Sequence, residues 1–166
     1  MGDPAGIAAD RRPRACFLAG MEIREVMTDW VVTAPPGCTA RDAAELMRDR
    51  DVGCLVFVTA AGGPVGLVTD RDLTLGVLAD GGSADDPAIF HASTPVVSGT
   101  AELVVDEAIE LMNRHQIRRL PVMEAGALVG IFTLSDLLAR CDAGEAARAV
   151  AARATRDALP ALYYQD

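Results

Sequence analysis

Apolar positions along the chain fall in short runs separated by turn residues. Val31-Val32-Thr33 is a β-prone run closed by Pro35-Pro36-Gly37. Thr39 is placed to cap a helix over about 40–50, with Ala43, Leu46 and Met47 at the i, i+3, i+4 spacing that faces a core. Strands are predicted over Cys54 to Thr59 and Val65 to Val68, joined by the turn cluster Ala60-Ala61-Gly62-Gly63-Pro64. A helix over about 70–79 then stops at Gly81-Gly82. The order is β-α-β-β-α.

The same pattern returns 65 positions later. Val96-Val97-Ser98 answers Val31-Val32-Thr33, and Ala108, Leu111 and Met112 answer Ala43, Leu46 and Met47. Ile117 answers Val52, and Leu120 answers Leu55. One residue is lost in the second hairpin, around Glu124-Ala125-Gly126, so the offset falls to 64 beyond it. Core positions that keep register through a helix and three strands, with the length change confined to a turn, mark a tandem duplication. The division expected is a tail over 1–22, a first repeat over 23–82, a second over 83–141, and a helix and tail over 142–166. In the last segment Ala146, Ala147, Val150, Ala151 and Ala154 share a shallow helical face that Pro160 ends.

Each repeat carries one chemically distinctive string. Gly66-Leu67-Val68-Thr69-Asp70-Arg71-Asp72 and Gly130-Ile131-Phe132-Thr133-Leu134-Ser135-Asp136 both run from an apolar strand into a helix start. In a single copy, Thr-x-x-Asp reads as a capping box. Duplicated, it sets an ionised Asp and hydroxyls from Thr69, Thr133 and Ser135 at two matching helix N-termini, where backbone N–H groups and the dipole favour an anion.

Composition narrows the class. Net charge is −9 and disfavours a general nucleic-acid binder. The stretch Val52 to Thr69 has no charge, yet its Gly-Gly-Pro turn makes it two strands rather than a membrane span. Cys16, Cys38, Cys54 and Cys141 are widely spaced, without a C-x-x-C, as in reduced cytoplasmic proteins. His91 and His115 are the only imidazoles, and metal-ligand spacing is missing. His115 reads as a helix-end residue. No H-E-x-x-H, G-x-S-x-G or P-loop string occurs, so no enzyme is expected.

The two Gly-h-h-Thr-x-x-Asp strings (h, apolar), with His115-Gln116-Ile117-Arg118-Arg119-Leu120-Pro121-Val122, resemble the signatures of the CBS-domain pair, or Bateman module, over about 23–141. The resemblance implies an α+β fold of two β-α-β-β-α units packed about a pseudo-twofold axis. It implies two clefts that bind an adenosine-containing ligand of the AMP, ADP or ATP class, with S-adenosylmethionine or NAD as further members, and no required cofactor. It also implies a homodimer that acts on an effector protein. Asp72 and Asp136 match the family's ribose-binding Asp, and Val52, Ile117, Ala43 and Ala108 would line the adenine slot, although by pattern they are core residues.

The basic residues make the clefts unequal. Arg118 and Arg119 stand at the entry of a strand, and Arg offers the fork that phosphate oxygens prefer. Gly53 and Cys54 hold those places in the first repeat, where only Arg71 adds positive charge. Because family clefts draw on both repeats, Asp72 with Arg118 or Arg119 is expected to form the phosphate-bearing site. The Asp136 cleft is expected to take a less charged ligand or none. Two other readings stand beside this one: a structural dimerisation module with empty clefts, and a thiol- or metal-based sensor using Cys38, Cys54 or a histidine.

Overall fold

The structure, a computed structural model, describes residues 20–133 and 135–136. The predicted helix over 142–159 and most of the predicted tail lie outside these residues.

The first repeat comprises β1 (Thr33–Ala34), α1 (Ala40–Arg50), β2 (Cys54–Val58), β3 (Pro64–Thr69) and α2 (Asp70–Leu73). The second comprises β4 (Gly99–Thr100), α3 (Val105–His115), β5 (Arg119–Glu124) and β6 (Ala127–Thr133), with residues 135–136 helical. Each repeat forms a three-stranded sheet in sequence order, β1-β2-β3 and β4-β5-β6, parallel in the first pair and antiparallel in the second. The opening strands begin two and three residues later than the apolar runs suggest. Val32 still joins the sheet by accepting a hydrogen bond from Val56 N.

Local chemistry accounts for the helices. Thr39 Oγ1 accepts from Asp42 N at 3.1 Å and starts α1. α1 and α3 end on equivalent left-handed residues, Asp51 (φ 53°) and Gln116 (φ 54°). The next amides, Val52 N and Ile117 N, return to Met47 O and Met112 O at 3.0 Å. His115 closes α3, as its position suggested.

The helix predicted over 70–79 has the expected extent but not the expected winding. Beyond Leu73 it widens to a π-helix, Thr74–Ala79. A Cβ on Gly76 would lie 2.1 Å from His91 Nδ1, so the imidazole ring occupies the space that a side chain there would need. The wide turn is built around that ring.

The covalent repeats and the packed halves differ. A 3-10 turn ahead of the first repeat, Ile23–Glu25, packs in the second: Ile23 N donates to Leu103 O, and Ile23 and Val26 are buried with Val105, Ala108, Met112, Leu120 and Phe132. A matching turn ahead of the second repeat, Ala88–His91, packs in the first, where Ala88 joins Ala43, Leu55, Phe57 and Val68. Each leader then adds one antiparallel bridge at a sheet edge, Thr28 to Ile131 and Ser93 to Leu67. Fully burying a side chain such as Ile23 contributes about 1.5–3 kcal/mol, so the exchange welds the repeats together.

This crossing explains the glycine of the repeated string. A Cβ on Gly130 would lie 2.4 Å from Met27 Sδ and 2.9 Å from Thr28 O. At the matching Gly66 the neighbours are Phe57, Ala92 and Ile89, at 3.2–3.4 Å. Large side chains also trade places. Phe57 lies on β2 across from Gly66, whereas in the second repeat Val122 faces Gly130 and the phenylalanine, Phe132, moves to β6. The two cores thus reach similar volume by different routes.

Candidate functional site

The two Thr-x-x-Asp strings fold alike at the ends of β3 and β6. Asp72 Oδ2 accepts from Thr69 N at 2.9 Å and Thr69 Oγ1 at 2.7 Å, while Asp72 N donates to Thr69 Oγ1 at 3.2 Å. Asp136 Oδ2 accepts from Thr133 N at 2.8 Å and Thr133 Oγ1 at 2.7 Å, with the same return bond from Asp136 N. Both are capping boxes, and in both the carboxylate is half-buried. They differ at the other oxygen. Asp136 Oδ1 accepts from Thr28 Oγ1 at 2.8 Å, whereas Asp72 Oδ1 has no hydrogen-bond partner among the described residues.

Arg119 leaves its own repeat. Its Nη2 and Asp70 Oδ2 each lie 3.6 Å from where a Gly53 Cβ would stand, so both groups close over the bare glycine. Asp70 holds its other oxygen on Arg71 N at 2.8 Å. Cys54 sits beside them. Burial pushes its thiol pKa up and Asp70 adds to that, while the Arg119 guanidinium pulls it down. Arg118 and Arg71 are exposed, as is Ser135. Arg118 has no ion-pair or hydrogen-bond partner among the described residues.

Val52 and Ile117 are half-buried against the two cores, at equivalent positions immediately before Gly53 and Arg118. Ala43 and Ala108 are fully buried, so they serve the core. A groove of about 820 Å³ opens between α1 and the π-helical segment, with Val52, Gly53 and Asp70 at one end and Met47, Leu73, Val77 and Leu78 along it. Leu78, which lines the groove, is 78% exposed, and Leu75 is exposed as well. No group of three or more His, Cys, Asp or Glu side chains comes together among the described residues.

Sequence reasoning singled out Asp72 and Arg119 but not Asp70, Thr28 or the role of the bare Gly53. The available signal was symmetry. Cys54 and Arg119 are 65 positions apart, and equivalent residues near a pseudo-twofold axis become neighbours.

Two sheets of matching topology, exchanged leaders and duplicated capping strings define a tandem architecture of the CBS type. The chain belongs to the CBS domain family, whose profile matches residues 23–78 and 88–142. It is 39% identical over 115 residues to the CBS domain-containing protein YhcV of Bacillus subtilis, covering 69% of this chain and 81% of that one. Among solved structures it is similar to an uncharacterised conserved protein from Pyrococcus horikoshii (TM-score 0.69, 30% identity, covering 75% of this chain and 95% of that one). It is also similar to the CBS domain protein PAE2072 from Pyrobaculum aerophilum complexed with AMP (TM-score 0.66, 29% identity, covering 80% of this chain and 99% of that one).

Proposed function

We propose that this chain is a non-catalytic regulatory module that binds an adenosine nucleotide in the Asp72 cleft and reports its occupancy to an effector protein. One observation carries the reading: Arg119 of the second repeat lies over Gly53 and Asp70 of the first, and Asp70 stands two residues in sequence before Asp72, whose Oδ1 has no hydrogen-bond partner among the described residues. An ionised carboxylate accepts hydrogen bonds from ribose hydroxyls, and a guanidinium fork suits phosphate oxygens. A ligand spanning the two would tie one repeat to the other. The AMP complex of PAE2072, 99% of whose chain is covered by the match, supports this chemistry.

Binding can shift the arrangement of the repeats only by the difference in affinity for the two states. A ligand held by side chains from both halves supplies such a difference. The exposed Leu78, with Val77 and Leu73 along the α1 groove, forms the face on which a second copy would pack, giving a homodimer. No helix among the described residues is long and apolar enough to cross a membrane, in keeping with a cytoplasmic module. Burial weighs against the thiol-sensor reading, because it raises the pKa of both Cys38 and Cys54 and so suppresses the reactive thiolate.

Thermal denaturation with AMP, ADP, ATP, NAD and S-adenosylmethionine in turn tests the reading. A ligand at about 100 times its Kd adds about 2.7 kcal/mol, a readily measured rise in Tm. Stabilisation by one nucleotide supports the sensor and names its signal. No shift with any of them favours a structural dimer with empty clefts.

A further inference from the structure

We propose that Thr28 sets how many clefts the chain can load, by holding the Asp136 carboxylate so that only the Asp72 cleft takes a ribose. The inference rests on the nucleotide reading above and deepens it.

A carboxylate offers about four lone-pair positions, two on each oxygen. Asp72 uses two of them, both on Oδ2, for Thr69 N and Thr69 Oγ1. Its Oδ1 stays available to the two adjacent hydroxyls of a ribose. Asp136 makes the same two bonds to Thr133 and a third, from Thr28 Oγ1 to Oδ1 at 2.8 Å. One position remains, too few for a ribose diol unless Thr28 lets go.

The difference comes from the exchanged leaders. Thr28 and Ser93 are equivalent residues, 65 positions apart, and each bridges the edge strand that leads to the capping box, at Ile131 and Leu67. Thr28 is held there by two backbone bonds, Thr28 N to Ile131 O at 3.0 Å and Ile131 N to Thr28 O at 2.9 Å. Its hydroxyl is therefore fixed against Asp136. Ser93 keeps the backbone bridge but is exposed, and its hydroxyl makes no bond to Asp72 among the described residues. The leader that welds the repeats thus also occupies one of two otherwise matching carboxylates.

Isothermal titration of the full chain with AMP tests this, comparing wild type with Thr28→Val and Thr28→Ser. Valine keeps the shape and the backbone bridge while removing the donor, and serine keeps the donor. The expected result is one AMP per chain for wild type and Thr28→Ser and two for Thr28→Val, the second bound more weakly because Cys54 stands in the place equivalent to Arg119. The added equivalent should be lost when Asp136→Ala is combined with Thr28→Val. Thr28→Ala reads the same change should valine crowd the strand. Two AMP per wild-type chain, or one for both Thr28→Val and Thr28→Ala, would overturn the inference while leaving the nucleotide reading intact. Two for Thr28→Ser would assign the effect to bulk and overturn it as well. No AMP bound by any variant would overturn the nucleotide reading, and this inference with it.

Discussion

Cys54 and Arg119 hold the same place in the two repeats, and the fold sets them side by side. Each is the first residue of the strand after its helix, and the pseudo-twofold brings those strand starts together. Had both been arginine, like charges would meet at the axis. A small thiol against a long cation, with Gly53 leaving room, lets one repeat reach into the other.

Removing that reach should separate phosphate from nucleoside recognition. In Arg119→Ala, AMP affinity is expected to fall about ten- to hundredfold, the ~1.5–3 kcal/mol of a hydrogen bond to a charged group. Adenosine affinity should hardly change. Arg118→Ala, at an exposed and unpaired position, is expected to have a smaller effect on both. Titration calorimetry with AMP and adenosine measures the four combinations.

The thiol beside Arg119 makes a prediction of its own. Burial leads the influences on Cys54 and raises its pKa above the ordinary thiol value, so less thiolate exists at any given pH. Alkylation of Cys54 by iodoacetamide, followed by mass spectrometry, should be slow at neutral pH and should accelerate only above the range where a free thiol does. Arg119→Ala removes an influence that lowers the pKa and should move that acceleration to still higher pH.

The glycines of the repeated strings should not be equally replaceable. Gly130→Ala places a methyl against Met27 Sδ and the Thr28 carbonyl and is expected to cost about 1–3 kcal/mol, because backbone has to move. Gly66→Ala meets Phe57, Ala92 and Ile89 at 3.2–3.4 Å and should cost less. Urea denaturation of the two variants gives the comparison.

The face carrying Leu78 predicts the assembly. Leu78→Asp puts a charge where the second copy would pack and should turn the proposed homodimer into a monomer by light scattering, with little loss of monomer stability, since Leu78 is 78% exposed. A dimer that survives the substitution would move the interface elsewhere.

Much of this fold was legible before any coordinates. Ala43 and Met47 with Ala108 and Met112 set the helix faces, and the one-residue deletion around Ala125 kept the register arguable. The exchanged leaders were not legible, because Ile23, Val26 and Ala88 are ordinary apolar residues whose partners lie far along the chain. Local periodicity carries no record of such pairing. The same holds for the π-helical turn, since Gly76 acquires its meaning only from His91. At the site, Asp72, Thr69 and Arg119 could be picked from the duplicated strings. Thr28 could not, because its role depends on which carboxylate its leader crosses.

The Asp72 cleft is proposed to bind a nucleotide through a carboxylate and an arginine from different repeats. Equilibrium dialysis of labelled AMP against wild type, Asp72→Ala and Arg119→Ala tests it most directly. Circular dichroism should accompany it, because Asp72→Ala also removes half of the capping box whose N-cap is Thr69. Saturable binding by wild type is expected, abolished in folded Asp72→Ala and weakened in Arg119→Ala. Undiminished binding by folded Asp72→Ala, or no binding by wild type, would contradict it.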